Sequence, residues 1–110
     1  MMYRNIVSNE VMVDLSDCLL EVFDHFSIRM YNGGSDISWR NNNNLHIIID
    51  IPYGNGGLRL GDIIQYLESK RDMIVKRFGY DIRIWSHIGD LPISSSCIRI
   101  RPLVPVLDLG

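Results

Sequence analysis

His46, Asp50 and His87 carry the side chains of a general base and an orienting carboxylate, the first two four residues apart in a β-rich run. That spacing sends both to one side of a strand, where a carboxylate-held imidazole can take a proton from a substrate. A catalytic set also needs a nucleophile and oxyanion donors. Ser94-Ser95-Ser96 reads as a turn, and neither cysteine has a histidine at an informative spacing. A tautomerase of this size would need a proline directly after the initiator methionine, where Met2 stands. The chain is therefore read as a non-enzyme, with His46 and Asp50 as the residues any turnover would use.

Two further patterns bear on ligands. The segment Tyr53-Gly54-Asn55-Gly56-Gly57-Leu58-Arg59-Leu60-Gly61 joins a strand to a helix N-terminus, a place where backbone amides cradle anions. Gly54, Gly56, Gly57 and Arg59 are its candidate anion ligands. The glycines do not fit G-x-G-x-x-G, and no Lys-Ser or Lys-Thr follows, so a plain flexible connection is the stronger reading and no cofactor is implied. Cys18 and Cys97 form no Cys-x-x-Cys and lie near no histidine at zinc spacing, so no metal site is read.

Arginine and aromatic residues give the sharpest signal. Where helices cover one face of a sheet, alternate strand residues point the other way. Ile28, Met30, Leu45, Ile47, Ile49, Ile51, Ile82, Ile84, Ile98 and Ile100 then face the helices. Arg29, Tyr31, His46, Asp50, Arg83, Trp85, His87, Arg99 and Arg101 share the outer face, with Ile48, Asp81 and Cys97 also turned outward. This parity puts Cys18 and Cys97 on opposite sides of the sheet, beyond the reach of a disulfide.

A solvated sheet surface would look the same. The functional reading is a docking or self-association surface, because arginine and tryptophan dominate interface hot spots. Trp39 joins it as an anchor on a loop, with a short edge strand at Ile37 and Trp39 as the alternative. The partner-binding candidates are thus Arg29, Trp39, Arg83, Trp85, His87, Arg99 and Arg101. Single-stranded nucleic acid is the second reading of the same face. RNA-recognition domains share the element order read below, but their central strands carry stacking aromatics where this chain has His46, Ile48 and Asp50.

The elements that must position these residues follow from periodicity. Leu15, Cys18, Leu19, Val22, Phe23 and Phe26 repeat at helical spacing, with Asp14, Asp17, Glu21 and Asp24 on the other side and Asp14 or Ser16 as cap. Val11 to Val13 reads as a short strand before that helix. A second helix spans Asp62 to Phe78, opened by a capping-box spacing of Asp62 and Gln65 and closed at Gly79. Strands are read at Ser27–Tyr31, Leu45–Ile51, Tyr80–His87 and Cys97–Arg101. The first six elements then follow the βαββαβ order of a ferredoxin-like sandwich, with an added C-terminal strand and two helices on one face of an antiparallel sheet.

The 110 residues, 46% hydrophobic and 22% charged, suit one globular domain over 1–110. Within it, 32–44 reads as a mobile Asn/Gly-rich hairpin loop and 102–110 as an apolar tail that packs on the core or docks on a partner or second copy. Arg99, Pro102 and Pro105 fit the R-x-x-P-x-x-P spacing of ligands for Pro-binding domains, a pattern common by chance. No apolar run approaches the length that spans a bilayer, and the first residues lack the apolar stretch of a signal peptide, so a cytoplasmic location with free thiols is expected. The net charge of −2 divides into an acidic first half and a basic second half. A small cytoplasmic binding protein is the resulting expectation, acting on a protein partner and by class analogy an inhibitor or immunity-type neutraliser of a basic toxin or nuclease. A homodimer through the sheet face or the tail is its symmetric variant.

Overall fold

Met12, Leu15, Cys18, Leu19 and Val22 are all buried, and their spacing of three, three, one and three winds them onto one stripe of a helix, α1, Asn9–Phe26. The computed structural model describes residues 2–26, 38–51, 60–88 and 96–106. After α1 come β1 (Ser38–Asn42), β2 (His46–Ile51), α2 (Leu60–Ser69), α3 (Arg71–Phe78), β3 (Asp81–Ile88) and β4 (Ser96–Leu103). The sheet is antiparallel in the order β1-β2-β4-β3, so β2 and β4 are central.

The α+β class with helices on one face holds. Ile47 and Ile49 of β2, Ile82 of β3, and Ile98 and Ile100 of β4 share one core with the apolar stripes of the three helices. All five strand residues have the inward parity read from sequence. The ferredoxin-like order does not appear among the described residues. Val11–Val13, expected as a strand, is the second turn of α1, because Ser8 rather than Asp14 or Ser16 starts the helix: its Oγ accepts from the Val11 amide at 3.2 Å. A three-residue apolar run satisfies either period, and Met12, 2% exposed beside an exposed Val13, follows the helical one. Ser16 instead donates to the Met12 carbonyl. The strand expected at Ser27–Tyr31 lies outside the described residues.

The helix expected over Asp62–Phe78 is two. Lys70 departs from helical geometry at φ −102° and ψ 3°, and its amide is shared between the carbonyls of Tyr66 and Leu67, each at 3.1 Å. Ser69 helps to break the run, since its Oγ donates to the Tyr66 carbonyl at 2.6 Å. α2 begins at Leu60, so Asp62 lies in its first turn rather than at its cap. Gly79 closes α3 as read, at φ 93° with its amide on the Val75 carbonyl.

Part of 32–44 forms the β1–β2 hairpin. Asn43 and Asn44 adopt the left-handed region at φ 53° and 60°, which asparagine tolerates well. Asn41 ties the turn together, accepting from the Asn44 amide at 2.9 Å and donating to the Asn44 Oδ1 at 2.6 Å. Residues 102–106 pack back. Leu103 ends β4, Val104 lies against the core, and Pro105 bridges to Tyr3, flanked by bonds from the Arg4 amide to Val104 and from the Val106 amide to Met2.

α3 is tied to β3 by Arg71, which bonds Asp81 Oδ1 at 2.9 Å and also donates to the Ile82 carbonyl. The Ile82 amide is taken by Asp81 Oδ1 at 2.8 Å. Opposite Ile82 stands Pro102, which has no amide to give.

Candidate functional site: the outer face of the sheet

Strand register assembles the outer face in three rows. Ser38, Asp50, Cys97 and His87 are successive partners across the sheet, as are Arg40, Ile48, Arg99 and Trp85. In the third, Asn42 pairs with His46 and Arg101 with Arg83. The structure therefore brings together His46, Asp50, Arg83, Trp85, Arg99 and Arg101, as parity requires. His87 lies in register opposite Cys97. Arg29, Gly54, Gly56, Gly57 and Arg59 lie outside the described residues. Trp39, read as a loop anchor, belongs to edge strand β1, where its partner is the core residue Ile49.

Contacts knit one end of the face. The Arg83 guanidinium lies over the Trp85 ring, 5.2 Å from its centroid, and His46 meets Trp85 edge-to-face at 5.7 Å. Nε2 of His46 lies 3.3 Å from Asn42 Nδ2 and 3.5 Å from Arg99 Nη1. Arg101 is held by the Arg4 carbonyl and Asn5 Oδ1, both at 3.3 Å. At the other end Arg40 Nε pairs with Asp50 Oδ2 at 3.4 Å. Asp50 thus turns to Arg40, and the His46–Asp50 dyad does not form.

Arg40 and Asn42 were missed by the sequence reading. Carrying β1 through 38–42 with the same alternation finds both, since they stand opposite Ile48 and His46. Ile48 is only 3% exposed although it lies outside the helix-facing core. Arg40 and Arg99 flank it in register, an arrangement in which arginine stems cover an apolar neighbour. Cys97 is likewise buried on this side and Cys18 on the helix side, both as free thiols. Burial pushes the Cys18 thiol up, against the opposing pull of Arg77.

Charge divides between the two sides of the molecule. Arg83, Arg99 and Arg101 pair with no carboxylate among the described residues. On the helix side, Glu10, Asp14, Asp17 and Glu21 are exposed at spacings of four, three and four, which places them on one face of α1. Glu21 of that stripe pairs with Arg77.

Burial pushes the His46 imidazole below its ordinary value of 6.5, and Arg99, Arg40 and Arg101 act in the same direction. The native state therefore binds fewer protons here than the unfolded chain. This contribution to stability is complete above about pH 6.5 and is lost as pH falls below that value toward the lower native one. Urea unfolding followed from pH 7.5 to 5 should lose stability more steeply in the wild type than in His46→Gln; parallel slopes would contradict the burial of a neutral ring.

No family model, curated protein or solved structure matches the chain.

Proposed function

We propose that the protein is a binding module whose outer sheet face docks an acidic surface of a protein partner. One observation supports this above the others: three arginines with no carboxylate partner among the described residues stand around a half-buried tryptophan, while Asp50 is engaged by Arg40 and Asp81 by Arg71. Desolvated arginine and tryptophan are the residues on which interface affinity concentrates. A basic toxin or nuclease would have to seat on the α1 stripe instead, where Arg77 already occupies Glu21. Single-stranded nucleic acid fits less well, because base stacking needs a bare aromatic face and Trp85 is in contact with both Arg83 and His46.

A titration with a Glu-rich peptide tests the reading. Amide shifts should concentrate on β3 and β4, with affinity that weakens moderately between about 50 and 200 mM salt as rim charges are screened. Shifts confined to α1, or no saturable binding, would overturn it.

A further inference from the structure

We propose that Arg83, Arg99 and Arg101, with His46 and Trp85 beside them, form a subsite for a phosphate monoester carried by the docked protein partner. The proposal rests on the docking reading above and adds the chemical group the face recognises.

The register concentrates positive charge at one spot. Arg83 and Arg101 are direct cross-strand partners, and Arg99 lies two residues along β4 from Arg101, opposite Trp85. Like charges placed directly opposite each other disfavour the sheet, and none of the three has a carboxylate among the described residues to relieve it. Their heads are also held in place. Arg83 rests on the Trp85 ring, and Arg101 is bonded to the Arg4 carbonyl and the Asn5 side chain.

Arg99 supplies the observation that points to a ligand. Among the described residues its buried Nε has no hydrogen-bond acceptor, and its Nη1 reaches only the His46 ring at 3.5 Å. A buried guanidinium N–H without an acceptor is costly, and an oxygen of a bound anion is the partner it lacks.

Charge selects among anions. One carboxylate sets a single negative charge against three cations. A phosphate monoester brings nearly two charges and three strong acceptor oxygens, which matches a cluster of forked guanidinium donors. A polynucleotide backbone spreads single charges along a track, whereas these cations gather at one end and the other end is occupied by Arg40 and Asp50.

His46 gives the subsite its own readout. The groups around its ring are Arg40 and Asn42 of β1, Arg99 and Arg101 of β4, Trp85 of β3 and, further along β2, Asp50. A dianion offsets the arginines that now oppose protonation of the ring. Phosphate binding must then raise the pH at which His46 protonates, and lowering the pH toward 6 must tighten phosphate binding by the same linkage.

The test follows the His46 ring by NMR at constant ionic strength, with inorganic phosphate as the first probe and chloride as its control. Saturable phosphate binding, an upward move of the His46 titration, and a roughly tenfold loss of phosphate affinity in Arg99→Gln with partial retention in Arg99→Lys support the subsite. Arg83→Gln and Arg101→Gln report the same loss if Arg99→Gln fails to fold. Equal responses to phosphate and chloride, or unchanged affinity in the glutamine variants, overturn it. Three polymers then compare sources: a phosphoserine peptide, its glutamate counterpart of equal net charge, and oligothymidylate. Tighter binding of the phosphopeptide supports the subsite. Equal binding of both peptides overturns the subsite and leaves the docking reading standing. Binding of oligothymidylate alone overturns both.

Discussion

Ile98→Ala lowers the free energy of unfolding by about 2–5 kcal/mol, the range for removing a large aliphatic side chain from a packed interior. Ile98 has no exposed surface and sits on β4, one of the two central strands, paired with Ile49 on one side and Ser86 on the other. Its side chain shares the core with all three helices, so little is free to collapse into the space it leaves. For a domain of this size the loss is a large share of the total stability. Urea denaturation gives the number directly from the shift in midpoint at unchanged slope. A shift below about 0.5 kcal/mol would mean that β4 does not lie beneath the helices.

Arg83→Glu separates binding from folding. Reversing this charge removes one of three clustered cations and sets a carboxylate against an acidic partner, and affinity for a Glu-rich peptide should fall by roughly 30- to 100-fold. Stability should hardly move. The substitution loses the contact with Trp85, worth about 0.5–1 kcal/mol at an exposed site, and exchanges a like-charge pair with Arg101 for an opposite-charge pair worth a similar amount. Calorimetry of binding and urea unfolding of the same variant check both halves. Binding that survives the reversal would remove the outer face from the interface, whatever happens to stability.

Period-two alternation made this face legible, because it is a strict geometric rule and needs only the approximate place of each strand. His46, Asp50, Arg83, Trp85, Arg99 and Arg101 fell on one surface although some of the elements around them differ from those expected. The ferredoxin-like order is not found among the described residues, for local reasons. Val11–Val13 is too short to distinguish a strand from a helix turn, and the cap Ser8 lies well before Asp14 and Ser16, the two expected candidates. The break at Lys70 carries no glycine or proline to mark it, only a serine that bonds back to the preceding turn. Edge strand β1 was hidden by its asparagines, residues poor in strands that pair here and close the hairpin behind them. For Trp39 the structure takes the edge-strand alternative over the loop anchor, with Ile49 as its register partner. The carboxylate that could have oriented His46 lies four residues along the same strand, about 13 Å away at the strand rise, and it pairs with Arg40 instead.

The contact of Arg71 and Asp81 with Ile82 reaches beyond the joint between α3 and β3. Among the described residues β3 is an edge of the sheet, and an edge strand offers its outward amides and carbonyls as a template on which another chain can pair. Pro102, which stands opposite, has no amide to give Ile82, and the Ile82 carbonyl and amide are engaged by Arg71 and Asp81. With both groups occupied by charged side chains, Ile82 has no free amide or carbonyl with which to template a foreign strand.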